Sequence, residues 1–258
     1  MQKEFEKFKD STIFEGMTSI RALLSARDSG SNDRKILEIL YDTSRSSKIA
    51  KELRFLTRIG ERDSFSVTGL TAAELAELTL GNTHGGIIAR CSNRTILDLA
   101  TESRSIEKNG FYVLMEGIED PYNFGYALRS LYACGATGII LPERNWMSAA
   151  GVVARSSAGA SELFPIYQSS TETALSVFKA LNYKIVCADI DTENLLPDTD
   201  LSLPLLLIVG GEKRGISRSV LDQADTVVKI PYGRDFRGAL SAASATTILA
   251  YEILRQNR

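Results

Sequence analysis

The chain is poor in the residues from which many catalytic centres are built. Of its 258 residues one is histidine, three are cysteine and one is tryptophan. A single His84 excludes a cluster of histidine metal ligands or a pair of catalytic histidines. Cys91, Cys134 and Cys187 are far apart and odd in number, so the expectation is buried thiols in a reducing compartment, not a metal site or a disulfide framework. No apolar run reaches the roughly 18 residues of a membrane span, and the opening MQKEFEKFKD lacks the apolar core of a signal peptide. The expected setting is therefore the cytoplasm, with no membrane partner and no metal. There is no excess charge of either sign: the net charge is −2, so binding to a polyanion would need a local basic face. Phosphate and nucleophile signatures are missing as well. No GxxxxGK[ST] loop, no GxSxG elbow and no GxGxxG after the strand at 111–115 occur.

What is present is the composition of a folded protein, 44% hydrophobic and 24% charged, in an alternating strand and helix pattern that predicts an α/β fold. In the first part, residues 5–24 read as a helix, 36–41 as a strand, 46–59 and 71–80 as helices, and 87–91 as a strand. Thr71 and Glu74 stand as a capping box. His84 on a loop is expected to be a hydrogen-bonded structural residue. The polar stretch 93–110 carries the domain boundary: 1–100 as one domain, 101–110 as linker and 111–258 as the second. That second part alternates strands (111–115, 138–141, 163–167, 184–188, 205–209, 227–230) with helices (from Asn123 as N-cap to Gly135, then 149–155, 171–181 and 241–256). The small residues at 156–160 permit close approach of a ligand or of another backbone.

Two features point to a site. The apolar strands at 205–209 and 227–230 run into glycine-bearing loops, Gly210-Gly211-Glu212-Lys213-Arg214-Gly215 and 231–238. Strands so apolar belong in a parallel sheet buried on both faces, and ligands bind beyond the carboxyl ends of such strands. Arg129 falls about 140° around its helix from Phe124, off the apolar stripe of Phe124, Leu128, Leu131 and Tyr132, and is free to face a cleft. The second feature is a run of cations, Arg45, Lys48, Lys51, Arg54, Arg58 and Arg62, at three- and four-residue steps. It reads either as a solvated helix face or as a stripe that tracks phosphates.

Three ordered motifs carry a resemblance: Asn123-Phe124-Gly125-(x3)-Arg129; Ile208-Val209-Gly210-Gly211-Glu212-(x2)-Gly215; and Ile230-Pro231-(x8)-Leu240 leading into the last helix with Tyr251-Glu252. They resemble the motifs of the SpoU (TrmH) family of RNA methyltransferases. Residues 156–160 look like that family's small-residue run, and residues 84–89 resemble the strand entry of the L30e-like RNA-binding domain many members carry. The resemblance implies a C-terminal SPOUT fold, a parallel sheet with a deep trefoil knot, preceded by a small α/β L30e-like domain. It implies an S-adenosylmethionine pocket at Gly210, Gly211, Ile230, Pro231, Leu240 and Ser241, and a homodimer through the C-terminal domain. The implied reaction is methyl transfer to a ribose 2′-hydroxyl of structured RNA, rRNA or tRNA, with Arg129, Asn123, Glu212 and Ser241 as the catalytic group. Arg45, Lys48, Lys51, Arg54 and Arg58 would then contact RNA. The chain departs from the family at Ala239-Leu240-Ser241-Ala242-Ala243, where members read SLNVS. Ser241 and Ser244 substitute, or substrate positioning differs, or the chain is a non-catalytic RNA-binding protein that keeps the knotted fold.

Overall fold

The computed structural model describes residues 12–80, 83–118, 120–143, 145–211, 215–236 and 238–258. Its strands, in chain order, are β1 (Ile13–Glu15), β2 (Ile36–Asp42), β3 (Ser66–Leu70), β4 (Ile87–Cys91), β5 (Leu97–Asp98), β6 (Phe111–Met115), β7 (Gly138–Leu141), β8 (Ile166–Gln168), β9 (Lys184–Ala188), β10 (Leu205–Val209) and β11 (Thr226–Val228). Its helices are α1 (Gly16–Ser29), α2 (Ala50–Asp63), α3 (Ala72–Leu78), α4 (Pro121–Ala133), α5 (Ala150–Ser156), α6 (Thr171–Ala180), α7 (Arg218–Leu221) and α8 (Ala242–Gln256).

Two compact units result. One comprises residues 1–95 with Trp146–Leu163, the other Ile96–Asn145 with Phe164–Arg258. The first holds a mixed four-stranded sheet in the order β1-β4-β2-β3, in which only β2 and β3 are parallel. Phe14, Ile20, Leu23, Ile39, Leu56 and Ile87 form its core, joined by Ala150 and Ala154 of α5. The helix expected at 5–24 is instead β1 followed by α1, because Ile13 and Phe14 are used to pair with β4; residues 1–11 lie outside the described residues. The helix expected at 46–59 starts at Ala50, because the Asp42 carboxylate accepts the Ser44 N–H and the chain first makes a 3-10 turn, Thr43–Arg45. Thr71 and Glu74 do form the capping box of α3.

The first unit also explains the run of small residues at 156–160. A Cβ on Gly159 would lie 2.2 Å from that of Ala22 on α1, so the run serves close helix packing. Next to it, Glu162 and Arg34 form an ion pair (Nε to Oε2 3.0 Å) with side chains 0% and 2% exposed. Asn32 donates to the Glu162 carbonyl at 2.8 Å and to its carboxylate at 3.2 Å, Arg34 also donates to the Ser92 carbonyl at 2.7 Å, and its guanidinium lies 4.8 Å from the centre of the Phe14 ring.

The second unit is built on a seven-stranded, wholly parallel sheet in the order β11-β9-β10-β6-β7-β8-β5. Every residue of β6 and β10 is buried, as expected for strands covered on both faces. Each apolar side chain so buried contributes roughly 1.5–3 kcal/mol. One face carries Tyr112, Leu114, Ile140, Phe178, Ile185, Leu206 and Ile208 in a single cluster. Tyr112, Phe178 and Tyr183 meet there with ring centres 4.9–5.9 Å apart.

Candidate functional site

Because the second sheet is parallel, the loops after β6, β10 and β11 all leave from one edge. The register Val209↔Met115 sets the first two side by side, and the Glu116 N–H donates to the Val209 carbonyl at 2.9 Å. The two loops then touch through backbone alone. A Cβ on Gly211 would stand 2.4 Å from the Gly117 carbonyl oxygen, and one on Gly210 2.5 Å from the Gly215 carbonyl carbon. The Gly215 N–H donates back to the Gly211 carbonyl at 3.0 Å. Glycine at 210 and 211 is thus required by a loop that doubles back against its neighbour. Glu212, expected in the catalytic group, lies outside the described residues.

The β6 loop opens α4. Asn123 is not its N-cap, as the sequence suggested. Pro121 takes the first helical position, where no N–H is needed, and Asp120 caps the helix by accepting the Asn123 N–H at 2.8 Å. Asn123 sits partly buried in the first turn. Phe124, Ala127, Leu128 and Leu131 are buried, whereas Tyr132, expected among them, is 42% exposed at the rim against Phe164. Arg129 is exposed, off the packed face.

The third loop closes on itself. Ile230 and Leu240 are half-buried and Pro231 is exposed. The Leu240 N–H donates to the Tyr232 hydroxyl at 3.3 Å, and the Tyr232 and Phe236 rings lie 6.0 Å apart. The strand expected at 227–230 ends at Val228, beyond which Lys229 makes a lone bridge to Leu195. Ser241 caps α8: its Oγ accepts the Ser244 N–H at 3.2 Å and lies 3.0 Å from the Ser244 hydroxyl. The helix packs on α4, where Thr247 donates to the hydroxyl of Ser130, the neighbour of Arg129, at 2.7 Å. The fold therefore gathers Gly210, Gly211, Ile230, Pro231, Leu240 and Ser241 on loops of one sheet edge, with Asn123 and Arg129 on a helix that starts there. What these loops offer a ligand is backbone groups and two half-buried aliphatic side chains. Among the described residues no group of three or more His, Cys, Asp or Glu could hold a metal ion, and no helix is long and apolar enough to cross a membrane.

In the first unit all six cations are exposed. Arg45 precedes α2 in the 3-10 turn and lies 3.6 Å from Asp42; Arg62 pairs with Asp63 at 2.8 Å. Among the described residues Lys48, Lys51, Arg54 and Arg58 have no acidic partner within 4.0 Å. The opposite face of α2 buries Leu56 and Gly60. His84 is structural, its Nδ1 accepting the Gly86 N–H at 3.1 Å. Burial pushes the Cys91 and Cys187 thiols up to about 12; Cys134, expected to be buried, is only partly so.

Residues 110–251 match the model of the SpoU rRNA Methylase family. An uncharacterized tRNA/rRNA methyltransferase of Mycolicibacterium vanbaalenii is 33% identical over 162 residues, which cover 62% of this chain and 51% of that protein. A putative TrmH family tRNA/rRNA methyltransferase, YacO of Bacillus subtilis, is 24% identical over 229 residues, 87% of this chain and 90% of that one. The chain thus spans about half of the first relative and nine tenths of the second. Among solved structures, an RNA 2′-O ribose methyltransferase superposes with a TM-score of 0.74 at 23% identity, covering 95% of this chain and 88% of the other. The SpoU methyltransferase AviRb of Streptomyces viridochromogenes, solved with its cofactor AdoMet, gives 0.74 at 23%, covering 95% and 89%. At such identities the likeness is one of fold, while the family match takes in α4, the β10 loop and most of α8. The chain belongs to the SpoU rRNA methylase family.

Proposed function

We propose that this protein transfers the methyl group of S-adenosylmethionine to a ribose 2′-hydroxyl in rRNA or tRNA. The observation that carries this reading is the convergence, on one edge of the parallel sheet, of the three loops and the α4 helix that lie within the family match. The cofactor supplies an electrophilic methyl. The backbone of Gly210, Gly211, Ile230, Pro231, Leu240 and Ser241 would hold it, with Ile230 and Leu240 as apolar walls. The hydroxyl would release its proton to solvent as its oxygen takes the methyl, the C–S bond breaking to leave S-adenosylhomocysteine. Arginine stays protonated, so Arg129 acts as a fixed cation that holds a phosphate and stabilises the developing alkoxide. Asn123 and Glu212 would position it. Transfer of tritiated methyl to total RNA from a deletion strain tests the reading. Arg129→Ala is expected to lower the rate about 100-fold or more while calorimetry still registers cofactor binding; near-normal turnover would remove Arg129 from the mechanism. No transfer by the wild type, with RNA binding intact, would favour the non-catalytic alternative raised by Ala239, Ala242 and Ala243.

RNA recognition falls to the first unit, through Arg45, Lys48, Lys51, Arg54 and Arg58, and methyl transfer to the second. RNA is commonly read by shape and by splayed bases, so a small basic face on an acidic protein suffices. The deep trefoil knot belongs to the same proposal, and a crystal structure with bound cofactor would trace it. A homodimer is supported by Tyr126 on α4 and by Ile248 and Tyr251 on α8, 50%, 40% and 60% exposed on the packed helix pair. Sedimentation should give twice the chain mass, and Tyr251→Glu should halve it. Three cysteines, none in a disulfide, fit a cytoplasmic enzyme.

A further inference from the structure

Phe55 has no place in the core of the first unit. It lies on α2 with 46% of its surface exposed and is absent from the clusters that take in Leu53, Leu56 and Ile59. A benzyl group left so open calls for a reason, and its surroundings supply one. At about 100° per residue, Phe55 lies within about 60° of Lys51, Arg58 and Arg62 on the helix surface. Lys48 stands just before the helix. Of the acids among these cations, Glu52 is half-buried on the side toward Ile59, and Glu61 is exposed about 120° around the helix from Phe55. Lys48, Lys51, Arg54 and Arg58 have no acidic partner among the described residues, so their charge is free to meet a partner's. An apolar ring bordered by unpaired cations is ill suited to a second copy of the same face, which would set like charges together. It suits a partner that joins flat apolar surfaces to a string of negative charge.

We propose that Phe55 is a stacking platform for one unpaired RNA base, whose flanking phosphates are held by Lys51 and Arg58. This rests on the reading of α2 as the RNA-binding face and names what that face selects: an unpaired nucleotide, not a continuous duplex. Base stacking on an aromatic ring is indifferent to sequence, because every base has a π face. The basic face would thus be drawn to loops and bulges, where a 2′-hydroxyl is also accessible.

The test is fluorescence anisotropy of the full chain with a short fluorescein-labelled single-stranded RNA and with its blunt duplex, over a range of salt. Phe55→Ala is expected to weaken single-strand binding about ten-fold, the loss of one base–aromatic stack. Duplex binding and the salt slope should be unchanged. Phe55→Trp should bind as the wild type does and Phe55→Leu as Phe55→Ala does. The variant with Lys51→Ala and Arg58→Ala should lower the salt slope by about 0.7 per cation on single strands. If Phe55→Leu binds like the wild type, the ring is not a stacking platform. If Phe55→Ala also binds like the wild type while the cation variant is weakened, the platform fails and the basic face stands. If neither weakens binding, both fail. Should Phe55→Ala melt earlier than the wild type, the Leu and Trp variants, which keep a large apolar side chain there, decide.

Discussion

Glu162 is an acidic residue with no exposure at all, paired with the Arg34 guanidinium and within electrostatic reach of Arg94, which donates to the neighbouring Ser161 carbonyl. Burial of a charge is tolerated only with a partner and with its remaining lone pairs satisfied, which Arg34, Asn32 and Ser161 accomplish together. Removing one member is therefore far worse than removing both. Glu162→Ala should lose about 3–5 kcal/mol in urea unfolding, because the Arg34 charge stays behind unpaired. Arg34→Met combined with Glu162→Leu should recover most of that loss, since apolar residues of similar volume often replace a buried pair at little cost. A loss below about 1 kcal/mol in the single variant would show that water reaches the site.

At the scale of elements, α8 explains how the departure from the family motif is accommodated. Ser241 caps the helix, and serine and asparagine are equally good N-caps. The position keeps its structural duty with a different side chain. Ser241→Asn should then leave the melting temperature almost unchanged, while Ser241→Ala should lose about 1 kcal/mol; an alanine variant as stable as the wild type would mean that the cap carries no weight. The strands β4, β6, β7, β9 and β10 were legible in the sequence to the residue, because buried apolar runs end abruptly at polar, glycine or proline residues. β3, only partly buried, and the two-residue β5 lack such runs, and their pairing with β2 and β8 lies outside any local pattern. At the site, the ends of β6 and β10 and the exposure of Arg129 could be read from periodicity, whereas β11 stops at Val228, two residues short of the expected end. The cap of α4 was misread because Asp120, hidden before Pro121, outcompetes Asn123. Phe55 passed unremarked because spacing alone does not tell an exposed aromatic from a core one.

For the molecule as a whole, a net charge of −2 conceals an uneven distribution: Lys51, Arg54 and Arg58 on α2 and Lys48 just before it have no acidic partner among the described residues. The sequence also suggested a single boundary near 101–110. Instead the first unit claims Trp146–Leu163 from the middle of the second half, and β5 goes to the second sheet. No local signal encodes that exchange; it follows from Ala154, Gly159 and Glu162 finding their partners far along the chain. Cutting the chain between residues 100 and 110 therefore does not yield two autonomous proteins. One fragment would lack part of its interior, and the other would display that interior as surface. Co-produced, the two fragments should find each other and copurify, so that the protein behaves under such a cut as a complementation pair.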